Sequence, residues 1–368
     1  MWYVPTADAQ VQFLENMQRV LTDGAFTTSY KFALVRALSD LAVLKGDDSG
    51  APLELSTRQI AAHMTELYWR QARPYRVAAE TDFPLAPQAA SDYEIVLRQI
   101  NGRQAAIVAQ LAEARNEFGG SLARFRQAAG ERYRALVAEV ETVVRVHPLW
   151  RMQTVGDEQV EFLYENVGRG NRITLKPGVA YCLRAFYELI RNLIEGAWVR
   201  FVQKANFGRL GNVTDLTTFL FGRERTSLDA YRPILFDAQE GLCLYCRKSL
   251  VGQAHVDHFV PWRRYPTDLG HNLILAHDQC NSAKTDHLAA EPHLETWCDR
   301  NRLHGGELAE RLTAAGLPCD AAATEQIAKW VYGLAERAGG QVWLTGKVLK
   351  RLDPRWWLSF ADSYEFSY

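Results

Sequence analysis

The chain has 368 residues with 42 Lys/Arg against 43 Asp/Glu, a net charge of −1. Apolar content of 48% and charged content of 23% are those of a globular protein and exclude a disordered or fibrous chain. Near-neutrality excludes indiscriminate binding to polyanions, so any surface for one must be a local patch; residues 200–290 hold eleven Lys/Arg and nine Asp/Glu, a net of +2. The length is that of two or three ordinary domains. No apolar run approaches the roughly 20 residues of a membrane helix, so no membrane partner is expected. The start, Met1-Trp2-Tyr3-Val4-Pro5, lacks the features of a signal peptide, which makes the cytoplasm the expected compartment.

In chain order, residues 8–22 and 26–45 carry apolar side chains at helical spacing, among them Phe32, Val35, Leu38 and Leu41. Residues 46–52, rich in Gly, Asp and Pro, predict a loop. Ser56 is placed to cap a helix containing Ile60, Met64, Leu67 and Tyr68, which Pro74 ends. Residues 75–90 read as a polar, proline-bearing connection, and 91–146 as one or two long amphipathic helices interrupted at Gly119-Gly120. The runs on either side of Gly168-Arg169-Gly170 predict a short hairpin. Residues 178–204 read as a buried helix bearing Tyr181, Phe186, Leu189, Leu193 and Trp198.

A helix over 228–239 is expected to place Tyr231, Leu235 and Phe236 beneath the segment that follows. Helices over 292–303, 306–315 and 323–337 and a strand over 341–344 complete the chain. Trp330, Trp343, Trp356 and Trp357 make this tail aromatic, and the reading favoured for them is a core that docks the C-terminal helices. The expected class is mainly α and multidomain, with a small α+β module. The expected segments are 1–90, 91–225, 226–290 and 291–368.

The chemistry concentrates between Cys243 and Lys284. Five of nine histidines lie between positions 255 and 287. Four soft ligands form two x2-spaced pairs, Cys243/Cys246 and His277/Cys280, with thirty residues between them. Two such pairs suit a closed tetrahedral zinc site. Cys182, Cys298 and Cys319 have no partner at such spacing and read as reduced core thiols. Inside the frame stand Asp257-His258, Pro261 and Asn272, and just past its end Asn281 and Lys284.

These residues resemble the HNH endonuclease family, the ββα-metal fold, in its zinc-ribbon form: Asp-His before a Pro at the end of a strand, an Asn in the loop, and Cys-Asn-x-x-Lys opening a helix. Asn281 stands where many members have His, an HNN variant. The resemblance covers about fifty residues and implies a small ββα-metal nuclease module. It also implies His258 as general base, Asp257 and Asn281 as ligands of one Mg2+ (or Mn2+), Asn272 as a loop brace, and products with 5′-phosphate and 3′-hydroxyl ends. Cys243, Cys246, His277 and Cys280 would hold structural Zn2+. An amide oxygen at 281 favours a hard ion.

In a regular strand Asp257 and His258 would face opposite ways, so the strand must bend or end there; Pro261 supports that. Lys284, Arg263, Arg264 and His255 are candidate phosphate contacts, each with a solvated surface role as its alternative; His271 and His287 are expected at the surface.

The partner this implies is DNA, in restriction or phage defence, by analogy with other HNH modules joined to helical regions. RNA cleavage by an effector or toxin of the same fold is the alternative, and a catalytically silent zinc-ribbon module is a third. The helix–loop–helix of 26–73, with Lys31, Arg36, Arg58, Arg70 and Arg73, shows no recognition-helix signature and reads first as a packed pair. A homodimer would let two centres cut both strands, and a regulatory partner could supply missing positive charge.

Overall fold

The structure, a computed structural model, describes residues 4–23, 28–77, 93–98, 104–155, 157–166, 170–207, 210, 216–222, 228–252 and 254–361. It is mainly α, with small separate two-stranded sheets. Two compact units divide the chain, Met1–Arg223 and Glu224–Tyr368. The segments expected separately as 1–90 and 91–225 contribute to one buried apolar cluster in the first unit. Among the described residues no helix is long and apolar enough to cross a membrane.

The first unit is built around the helix Tyr30–Lys45, in which every residue from Tyr30 to Val43 is buried. The sequence showed one apolar stripe; burial on all sides follows because helices surround it. Trp198, from the helix Tyr187–Ala205, stacks on Phe32 at 6.1 Å and meets Tyr68 of the helix Thr57–Gln71 edge-on at 5.7 Å. Ser56 caps that helix as expected, and with Gln59 it forms a full capping box.

Total burial forces the polar residues of Tyr30–Lys45 to find partners. Asp40 accepts from Arg36 Nε at 3.0 Å and from His63 Nε2 at 2.8 Å, and Tyr187 donates to its other oxygen. Arg36 also reaches Glu195 at 2.7 Å. Burial opposes ionisation of Asp40, but Arg36 and His63 outweigh it and hold the carboxyl far below its usual range. Three of the basic residues of 26–73 therefore serve structure: Arg36 in this network, Lys31 buried in the core, and Arg73 donating to the Phe219 carbonyl.

Several expectations change. Residues 172–175 pair antiparallel with Leu53–Ser56, Leu53 opposite Leu175; the only β-bridge among the described residues between the expected hairpin arms is a single one, Tyr164 to Leu175. A strand partner more than a hundred residues away leaves no local signal. The expected turn residues Gly168 and Arg169 lie outside the described residues, as do 78–90 of the expected connection. The long helical stretch of 91–146 begins with the strand Tyr93–Ile95 and breaks again after Ala128, giving Gln104–Glu117, Leu122–Ala128 and Gly130–Val146. Leu189 and Leu193, expected inside, are 47% and 40% exposed.

The second unit carries the ββα arrangement. Ala254–His258 pairs antiparallel with Leu273–His277, and the helix Asp278–Lys284 follows directly. The two expected helices after residue 291 are one, Glu291–Ala314, running unbroken through Gly305-Gly306. Trp297 from this helix stacks on Phe259 at 4.8 Å, so burial of its apolar face outweighs the roughly 1 kcal/mol that each glycine costs. At Gly270 a Cβ would lie 2.4 Å from Cδ1 of the fully buried Leu312, so the loop before Asn272 approaches this helix only as glycine. Tyr231 and Leu235 are buried as expected, whereas Phe236 is 42% exposed. Trp330, Trp343 and Trp356 are buried and Trp357 is 54% exposed.

The Asp40 network gives a test with a sign. Removing one member of a buried ion pair costs about 3–5 kcal/mol. Asp40→Ala is expected to lower the opening free energy of amides in Tyr30–Lys45 by about that amount at pH 7, measured by hydrogen exchange. The depressed carboxyl contributes above the unfolded value of about 4 and loses its contribution as pH falls through the folded value. The gap between wild type and variant should therefore narrow in acid.

Candidate functional site

Cys243, Cys246, His277 and Cys280 come together, with ligand atoms all within 4.8 Å of one another. A tetrahedron with bonds of about 2.0–2.3 Å has edges of roughly 3.3–3.8 Å. Cys246 Sγ already lies 3.3 Å from His277 Nδ1. The knuckle forms because Arg247 adopts a left-handed φ of 57°, and the Cys243 amide donates to the Lys248 carbonyl at 2.9 Å. His277 Nε2 donates to the Ser249 carbonyl at 3.1 Å, which leaves Nδ1 as the ligating atom.

Burial and the neighbouring sulfurs of Cys243 and Cys246 push the Cys280 thiol up to about 12. Three sulfurs this close can all ionise only with a cation between them, and three sulfurs with one imidazole fit zinc. Cys182 and Cys298 are buried free thiols, as expected; Cys319 is half-buried.

Beside this frame the strand Ala254–His258 ends at the histidine, with Asp257 opposite Ile274 and His258 opposite Leu273 as the last two rungs of the ladder. Asn272 takes over where the ladder stops. Its carbonyl accepts from the Phe259 amide at 2.8 Å, its Oδ1 from the Val260 amide at 2.8 Å, and its Nδ2 donates to the Val260 carbonyl at 3.0 Å. The side-chain amide thus substitutes for a strand residue while the chain turns away. Behind this loop Arg300 is wholly buried and donates to the carbonyls of His271 and Leu273, both at 2.6 Å; burial pulls its guanidinium down to about 9.

Asp257 is held at one oxygen. Tyr245, inside the zinc knuckle, donates to Oδ2 at 2.7 Å, and Lys284 Nζ lies 3.1 Å from the same atom. Asp257 Oδ1 has no hydrogen-bond partner among the described residues, and neither has the side-chain amide of Asn281. Asn281 sits one helical turn before Lys284, where Cβ atoms are about 5–6 Å apart. His258 Nε2 lies 2.8 Å from Asp268 Oδ1, and the ring meets Trp262 edge-on at 5.6 Å.

Lys284, a candidate phosphate contact or surface lysine, is placed in neither position. It is 0% exposed, and its ammonium is spent on Asp257 and on the His258 carbonyl at 3.0 Å. Burial lowers its pKa, and Asp257 holds it up. His271, expected at the surface, is buried with Nε2 on the Gly305 carbonyl at 3.1 Å. His287 is exposed. Arg263 and Arg264 are exposed, Arg263 4.0 Å from Asp286, and His255 is 3.7 Å from Asp278.

Tyr245, Asp268 and Arg300 drew no attention in the sequence. Tyr245 alone had a signal, as the aromatic residue inside a ligand knuckle.

Residues 243–287 match the model of the HNH endonuclease family, so the second unit contains an HNH endonuclease domain. No curated protein and no solved structure matches the chain.

Purified protein is expected to carry one zinc per chain by elemental analysis. Cys280→Ser should lose that zinc and lower the melting temperature, because structural zinc contributes directly to folding; metal-free protein of unchanged stability would contradict the site. Lys284→Ala, which strands the Asp257 carboxylate, should cost about 3–5 kcal/mol in urea unfolding.

Proposed function

We propose that the HNH domain is a divalent-metal-dependent endonuclease acting on DNA. One observation carries this reading. Around the end of one strand Asp257, Asn281 and His258 are each placed by fixed elements, yet Asp257 Oδ1, the Asn281 amide and His258 Nδ1 are left without partners among the described residues. A structural zinc module needs no such uncommitted atoms.

Asp257 Oδ1 and Asn281 Oδ1 are hard oxygen donors and suit Mg2+ or Mn2+. When bound, that ion would neutralise phosphate oxygens and stabilise the leaving oxygen. His258 Nδ1 takes the proton of the attacking water, the general-base role that imidazole most often fills. Asn272 keeps the His258 loop in register. Arg263 and Arg264 meet the backbone of the nucleic acid, a role that positions substrate without reading sequence. Phosphodiester hydrolysis of this kind leaves 5′-phosphate and 3′-hydroxyl ends. The layout, an HNH module with a large helical unit, supports a role in restriction or phage defence by analogy.

The test is incubation of the full chain with plasmid DNA and with RNA, in Mg2+ or Mn2+ and in EDTA. Metal-dependent nicking or linearisation of plasmid is expected. His258→Ala should abolish it, a loss of at least about 100-fold for a general base, with zinc content unchanged. Cleavage of RNA alone would move the activity to the RNA-cutting alternative. Wild-type cutting by His258→Ala would remove His258 from the mechanism.

A further inference from the structure

The carboxylate of Asp268 lies ten residues past His258 in sequence and 2.8 Å from its Nε2. A carboxylate only accepts, so the imidazole nitrogen facing it carries the hydrogen. In a neutral ring the other nitrogen, Nδ1, is then bare. Nδ1 makes no hydrogen bond among the described residues, and 8% of the His258 side-chain surface remains exposed. The arrangement is rigid on both sides. Trp262 packs against the ring, and Tyr231 donates to the Asp268 carbonyl at 3.1 Å, anchoring that residue's backbone to the segment before the zinc knuckle. The His258 carbonyl is fixed in turn by Lys284.

We infer that Asp268 is a positioning residue that forms a carboxylate–imidazole pair with His258, fixing the tautomer that presents Nδ1 as the proton acceptor. The inference rests on the proposed nuclease reading. In the reaction the water gives one proton to Nδ1 and its oxygen bonds to phosphorus. The bond from phosphorus to the 3′ oxygen breaks, and that oxygen takes a proton from solvent. The positive charge created on His258 faces the Asp268 carboxylate. None of the expectations drawn from the family motif includes this residue.

The test uses the full chain with two independent readouts. In long-range proton–nitrogen spectra of histidine-labelled protein, with the His258 signal assigned by its loss in His258→Gln, the wild type should show the Nε2–H tautomer. Asp268→Ala should shift it to a mixture. In plasmid cleavage Asp268→Ala should lower kcat by about 10- to 100-fold, the usual cost of losing an orienting partner, with KM within about twofold and zinc content unchanged. Asp268→Glu, which keeps the carboxylate, should recover part of that loss.

An Asp268→Ala enzyme with wild-type kcat, or one whose His258 tautomer is unchanged, overturns the inference while leaving His258 as base. Wild-type cleavage by His258→Ala overturns the base assignment, and with it any catalytic meaning of the pair; the tautomer spectrum still decides whether Asp268 orients the ring.

Discussion

The buried ammonium of Lys284 is the constraint on which the site depends. It ends the helix that follows the second strand, and it contacts both members of the Asp257-His258 pair, one through its carboxylate and one through its backbone carbonyl. A charge with no exposed surface is tolerated only with partners at this range. The same pairing fixes how the helix seats on the strand. Asn281 stands one turn earlier on the same helix. Tyr245 adds a link from the zinc knuckle to the same carboxylate oxygen, so the structural metal frame and the candidate reactive residues share one atom.

The sequence made legible whatever depends on short spacing. The four zinc ligands, the Asp257-His258 pair and Asn272 were found because knuckles, strand ends and helix starts impose fixed intervals. The supporting residues were not found, because their roles exist only after the chain has folded. Lys284 read as either a phosphate contact or a solvated surface lysine because helical spacing does not say which face is buried. Asp268 lies in a loop with no periodicity, and Arg300 comes from a helix beyond the motif. In the first unit, the pairing of Leu53–Ser56 with Arg172–Leu175 was invisible for the same reason, while the Ser56 cap, a four-residue device, was plain.

Charge follows a similar logic. The basic residues Arg36, Lys284 and Arg300 are buried cations that pair with carboxylates or donate to backbone carbonyls inside the fold. A count along the sequence credits them to the surface. Near the HNH domain the burial of Lys284 removes Asp257 with it, so the small net positive charge rests on exposed residues such as Arg263 and Arg264. A domain of this kind would meet nucleic acid with few side-chain cations, so the ion proposed at Asp257 and Asn281 would be the natural complement to a polyanion.

The helix Glu291–Ala314 carries the remaining lesson. It begins just after the segment that matches the family, yet its Trp297 covers Phe259 and its Arg300 satisfies the carbonyls on either side of Asn272. Expression of the motif alone would leave an aromatic face wet and two backbone acceptors unanswered at the one loop that must stay rigid. The smallest portable cassette of this endonuclease domain therefore extends well into that helix, and grafting experiments should draw their cut after the strut and not at the edge of the recognisable pattern.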